Sequence, residues 1–172
     1  VPGGLNTTGI APYKLKAADS VSEVQWIVDM GVKLELGHEV TAASAADLLA
    51  KYDAVFIGIG LGEDTKLGAP NEDGPGVVGA TAYIEQLKLG NVGKPAGTVL
   101  IIGGGNTAID VARECAGLGM KDVAMVYRRD VAEMSGYEHE LEGARIEGVR
   151  FIPNAVVASF VRDAGGALTG VM

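Results

Sequence analysis

Thr98-Val-Leu-Ile-Ile-Gly-Gly-Gly-Asn-Thr-Ala108 decides the fold. An apolar run from Val99 to Ile102 stops at three glycines. Ala108, Ile109, Val111, Ala112 and Cys115 then follow helical spacing. The order strand, tight turn, helix carries G-x-G-x-x-A at Gly103, Gly105 and Ala108. A dinucleotide needs that pattern. Gly103 permits the sharp turn, Gly105 lets the backbone approach a pyrophosphate, and Ala108 is small enough for the helix to pack on the strand. The first helical N–H groups, at the positive end of the helix dipole, then face the phosphate charge.

Outward from this turn, strands alternate with helices, which predicts an α/β fold built on a Rossmann-like parallel sheet. Downstream, Gly117 and Gly119 end the helix and Asp122–Tyr127 is the next strand. Glu138–Glu147 is a polar helix and Val149–Ile152 a third strand. A hairpin over 155–172 turns at Asp163-Ala-Gly-Gly166. Upstream, Gly90–Gly97 is dense in turn formers and marks the domain boundary. Thr81–Leu89 is a helix, and Leu61–Gly76 a glycine- and proline-rich loop. Ala54-Val-Phe-Ile-Gly-Ile-Gly60 is apolar throughout, as a buried parallel strand is. Ser44–Asp47 is expected to cap a short helix through Tyr52, and Val32–Leu36 alternates like a half-exposed strand. Ser20-Val-Ser-Glu23 has the form of a capping box for a helix ending at Gly31. Residues 1–16 read as turns or a short hairpin.

Composition sets bounds. With 48% apolar residues in 172, the chain can bury a core, and a net charge of −8 gives no nucleic-acid footprint. The single cysteine, Cys115, excludes an internal disulfide and a cysteine-rich metal site, and it is expected to pack in the core. No stretch is apolar enough to suggest a membrane span or secretory leader, so a cytoplasmic protein is the expectation. Val1 and Met172 both read as cuts through a longer protein. His38, His139 and the Glu138, Glu140, Glu142 run are expected to be solvated surface, and no catalytic triad or metal cluster is evident.

Against this acidic background the second strand continues into Arg128 and Arg129. An acid at this place takes ribose hydroxyls; a guanidinium pairs with a 2′-phosphate through two N–H bonds. The arginines favour NADP(H) over NAD(H). Asp130 either holds an arginine or takes the ribose itself. Ser135 and Arg145 are further candidates for the phosphate pocket.

Four segments together resemble a known family: Gly3-Gly-Leu-Asn-Thr-Thr-Gly-Ile10 with Tyr13-Lys-Leu15; Tyr52–Gly60; Gly103–Asp110; and Val126–Asp130 followed by Glu147-Gly-Val149. The likeness is to the flavoprotein module of the glutamate synthase small subunit and dihydropyrimidine dehydrogenase. It implies an NADP(H) domain inserted in an FAD domain, hydride passing between the two cofactors, and electrons leaving through iron–sulfur sites to a larger catalytic partner. By that likeness Gly104, Gly105, Asn106 and Thr107 lie on the NADP(H) phosphates and ribose. Arg128 and Arg129 hold the 2′-phosphate, and Leu5, Lys14 and Val40 border FAD. Residues 1–92 would be a partial FAD domain without its own G-x-G-x-x-G, and 93–172 an NADP(H) domain short of its last strand. The family has proline after Gly-Ile and arginine at the Lys14 position; here Ala11 precedes Pro12. A thioredoxin-reductase-like enzyme would need a cysteine pair that Cys115 alone cannot supply. A nucleotide-binding module without turnover is the alternative.

Overall fold

In the computed structural model, residues 1–60, 62, 64–92 and 97–172 are described. Leu61, Glu63 and the 93–96 part of the expected boundary lie outside the described residues.

Three parallel strands, β1 (Thr98–Ile102), β2 (Asp122–Val126) and β3 (Arg150–Ile152), form a sheet in the order β1-β2-β3. Thr98 pairs with Asp122 and Ile102 with Val126, so β1 and β2 end level; Ala124 pairs with Arg150. Helices α5 (Asn106–Gly117) and α6 (Glu138–Ile146) make the crossovers. The period-two alternation of strand side chains sorts the apolar residues between two faces. Ile101, Val123 and Met125 join a core with Ile109, Ala112 and Cys115 of α5, and with Leu141 and Ala144 of α6. Tyr83 and Ile84 of α4 (Ala80–Lys88) are buried in that same core. On the other face, Leu100, Val126 and Ile152 meet Val157 and Phe160.

Phe160 opens an antiparallel hairpin, β4 (Phe160–Arg162) and β5 (Leu168–Val171). The segment 69–77 docks on it. Arg162 donates to the carbonyls of Asn71, Pro75 and Gly166, and Phe160 N–H donates to Pro70 O.

The first third of the chain differs from expectation. Residues 1–16 are turns, as one of the two expectations had it, but around a short helix, α1 (Leu5–Thr8), and without the hairpin. Helix α2 (Ala17–Asp29) begins three residues before Ser20, from an extended Lys16. Ser20 is therefore inside the helix, and its hydroxyl lies 2.8 Å from Thr7 Oγ1. A tertiary partner took the side chain that a capping box would have used. In α3 (Ala42–Lys51) the cap is Thr41, whose Oγ1 accepts from Ser44 N–H, while Thr41 N–H donates to Ser44 Oγ. Neither 32–36 nor 54–60 forms a strand, and the latter is not buried: Phe56 is 94% exposed and Ile59 90%. An apolar strand is stable only between two others, and no described residue offers its backbone a ladder.

Candidate functional site: the glycine turn and the end of the second strand

The turn after β1 folds as its sequence requires. Gly103 has φ +140°, where a side chain is strained, and a Cβ there would stand 3.3 Å from Ala108 Cβ. Its N–H donates to Val126 O, which ties the turn to the end of β2. Gly104 is buried over the ring of Tyr127; a Cβ would come within 2.8 Å of Tyr127 Cε2 and Met134 Cγ. Gly105 is the extended N-cap of α5, and no side chain caps the helix. Its first N–H groups are left for an incoming acceptor, where the helix dipole favours an anion. At Gly105 an added Cβ would find only Ser135 Oγ, at 3.7 Å, so the backbone is open on that side.

A second wall comes from residues 134–137, which lean back over the turn. Gly136 N–H donates to Gly104 O at 3.0 Å, and Tyr137 N–H donates to Asn106 Oδ1 at 2.9 Å. The latter bond fixes the Asn106 amide: its oxygen is occupied, so its NH₂ is what it can offer a ligand. Ser135 is exposed beside Gly105. Sequence reasoning missed Gly136 and Tyr137. Their signal was a glycine two residues before a helix, which is not specific.

The two arginines have different surroundings. Arg129 Nη2 donates to the Tyr127 hydroxyl at 2.6 Å, and Nη1 lies 3.8 Å from Glu133. The Tyr127 hydroxyl in turn donates to Glu133 O. Asp130 caps a single 3-10 turn, Val131–Glu133, by accepting from Ala132 N–H. It bonds to neither arginine among the described residues. Arg128 is exposed and has no hydrogen bond or ion pair among the described residues. Because Ile102 pairs with Val126, Arg128 follows the C-terminal end of the central strand, level with the glycine turn that follows β1. Arg145 is placed differently: it lies over Phe151 and pairs with Glu142 at 3.5 Å.

Leu5, Lys14 and Val40 do not share a contact set. Leu5 is exposed on α1, and Val40 is exposed in a hollow with Glu35, His38 and Lys51. Lys14 turns instead to Asp110 at 2.6 Å and Glu140 at 2.9 Å. Glu140 is thus a buried ion-pair partner, whereas Glu138 and Glu142 are solvated as expected. His38 and His139 are exposed, and His139 stacks on Tyr137. Cys115 is buried, with its thiol 3.6 Å from the Tyr83 hydroxyl; burial pushes the thiol up from its ordinary value. Among the described residues no group of acidic, histidine or cysteine side chains could hold a metal, and no helix is long and apolar enough to cross a membrane.

With this geometry in view, the comparisons with known proteins are specific. The family model described as pyridine nucleotide-disulphide oxidoreductase matches residues 7–171. The chain is 33% identical to the glutamate synthase [NADPH] small chain of Escherichia coli, over 98% of this chain and 38% of that one. It is 34% identical to the NADP(+)-dependent formate dehydrogenase subunit beta of Moorella thermoacetica, over 92% of this chain and 24% of the other. Among solved structures, Mycobacterium tuberculosis FprA in complex with NADPH superposes with a TM-score of 0.61 at 21% identity. That match covers 84% of this chain and 38% of FprA, and at such identity it speaks for the fold. The first curated relatives are much longer: the chain spans 28% to 38% of their length.

Proposed function

The chain belongs to the pyridine nucleotide-disulphide oxidoreductase family, and from that premise we propose that it supplies the NADP(H)-binding part of an NADPH-dependent flavin oxidoreductase. Residues 93–172 form the nucleotide domain, and 1–92 contribute to the flavin domain. One observation carries this reading: the N-terminus of α5 has no side-chain cap, and Arg128, exposed and without a partner among the described residues, follows the end of the strand paired with β1. Gly103 to Ala108 cradle the pyrophosphate, with Asn106 donating from its fixed amide and Thr107, exposed, at the helix start. Arg128 takes the 2′-phosphate. Arg129, braced by Tyr127 and Glu133, forms the floor next to it, and Ser135 closes the side.

Bound cofactors carry the hydride chemistry; the chain's part is to bind and orient the nucleotide. The residues of the glycine turn fit NADP(H); Leu5, Lys14 and Val40 share no contact, so the flavin side is left to the family likeness. No flavin step is assigned to them. The same observation favours a second reading for this polypeptide alone, a module that binds NADP(H) without turnover. The larger partner and the final electron acceptor belong to the longer protein; two relatives, named as a small chain and a subunit beta, support a multi-subunit setting.

The test is titration of the purified chain with NADPH and NADH. A charge-assisted bidentate contact contributes about 1.5–3 kcal/mol, so Arg128→Ala is expected to weaken NADPH roughly 10- to 100-fold and NADH little. Equal weakening of both removes the 2′-phosphate assignment. Flavin absorbance near ~450 nm in the same preparation would instead show a bound flavin and reject the module without turnover.

A further inference from the structure

The loop of residues 10–16 reaches across about a hundred positions of sequence to grip the nucleotide helix. Lys14 Nζ bonds Asp110 Oδ1 and Glu140 Oε1, joining the loop to α5 and α6 at once. The Tyr13 hydroxyl lies 3.0 Å from Asp110 Oδ1 and 2.9 Å from Glu140 Oε2. Tyr13 N–H donates to Glu114 Oε1 at 2.8 Å, and the Arg113 guanidinium sits 4.4 Å above the Tyr13 ring. Arg113 then pairs with Glu140 at 2.5 Å and Glu147 at 2.6 Å. Asp110 and Glu140 are the two buried carboxylates of this cluster, and each has its partners.

Burial works against the Lys14 ammonium, and its bonds to Asp110 and Glu140 more than reverse that effect. Removing such a cation would leave two carboxylates facing each other in a half-dry site. Asp110 lies one helical turn beyond Asn106, on the helix whose start receives the nucleotide. Whatever orders the start of α5 therefore also orders the anchor of the loop.

We propose that Lys14, assisted by Tyr13, is a positioning latch that couples the 10–16 loop to the nucleotide-binding helix, and is not a flavin contact. The loop carries the segment assigned to the flavin domain, so the latch aligns that segment with the bound nucleotide. This last step rests on the proposed function; the latch itself does not.

Hydrogen exchange by mass spectrometry on the 172-residue chain, with and without NADPH, tests both levels. In the unliganded chain Lys14→Met is expected to raise exchange at Tyr13, Lys14 and Leu15 by about tenfold or more, with β1–β3 unchanged. Lys14→Arg keeps the parent pattern. Tyr13→Phe, which removes one hydroxyl, gives a smaller rise and serves if Lys14→Met does not fold. With NADPH, protection of α5 is expected to extend to residues 13–15 in the parent chain and in Lys14→Arg, but not in Lys14→Met. Unchanged exchange at 13–15 in both Lys14→Met and Tyr13→Phe overturns the latch. NADPH protection that reaches 13–15 despite Lys14→Met, or that never reaches them in the parent chain, overturns the coupling. Absence of any NADPH protection at α5 in the parent chain instead removes the functional reading and leaves the unliganded exchange to decide the latch.

Discussion

Gly104 and Gly105 are neighbours with opposite demands. Gly104 is packed against Tyr127 and Met134, and Gly105 faces open space. A methyl group at Gly104 must push back a ring and a thioether, and overpacking of that kind costs about 1–3 kcal/mol. Gly104→Ala is expected to lower stability by that amount in a urea titration. Gly105→Ala should cost at most about 1 kcal/mol, the difference between the two residues at an N-cap. Nucleotide affinity should reverse the order of sensitivity, because a methyl group at Gly105 projects into the open space before the proposed phosphate site, whereas one at Gly104 points into Tyr127 and Met134. A titration in which Gly105→Ala binds NADPH as well as the parent chain would move the pyrophosphate elsewhere. The three glycines were legible in the sequence because their demands are local. The difference in role between Arg128 and Arg129 was not, since it depends on where the Tyr127 hydroxyl and Glu133 lie in space.

At the scale of elements, α5 and α6 were recognisable from periodicity, but what joins them was not. Asp110, Arg113 and Glu114 share one side of α5, and Glu140 lies in α6 with Glu147 just after its end, which in sequence looks like two solvated faces. Their partners, Tyr13 and Lys14, are 96 to 127 positions away from Asp110 and Glu140. Burial alone would raise the Glu140 carboxyl. The hydrogen bonds from Lys14, Tyr13 and Arg113 overcome it and hold the group down to about 2, from an ordinary 4.5. A depressed carboxyl stabilises the fold above its unfolded value and loses that contribution as pH falls through the folded one. Glu140→Gln is therefore expected to be less stable than the parent chain at pH 7. The gap should narrow as pH falls from about 4.5 towards 2, read by urea unfolding at stepped pH. A gap independent of pH would mean that Glu140 contributes by packing alone.

Across the whole molecule, the core does not follow the order of the chain. Ile84, from the segment ahead of the glycine turn, is fully buried beside Ile109 and Met125 from the segment behind it. Ile84→Ala is expected to cost about 2–5 kcal/mol and to shift one common transition. That outcome would be seen as coincident loss of far-ultraviolet circular dichroism and of amide protection in β1–β3. A separate early transition would show that α4 folds independently of the sheet. The sheet and its crossovers were legible because strand, turn and helix each have a local signature. The 54–60 run was not. Its composition specifies a strand flanked on both sides, and sequence alone does not say whether the flanking strands are present.

The 54–60 run also governs how the chain behaves in a crowded solution. Ala54-Val-Phe-Ile-Gly-Ile-Gly60 carries no charge and no proline, has Phe56 and Ile59 open to water, and has a backbone with no ladder among the described residues. Such a ribbon is a template for its own copies, which can stack edge to edge. A net charge of −8 spread over the rest of the surface slows encounters without protecting this segment. Turbidity and thioflavin fluorescence should rise with protein concentration and with added salt. Ile59→Lys is expected to suppress both while leaving the NADPH titration unchanged, since residue 59 lies outside the glycine-turn site. The colloidal lifetime of this polypeptide is then expected to depend on seven residues outside the proposed nucleotide site.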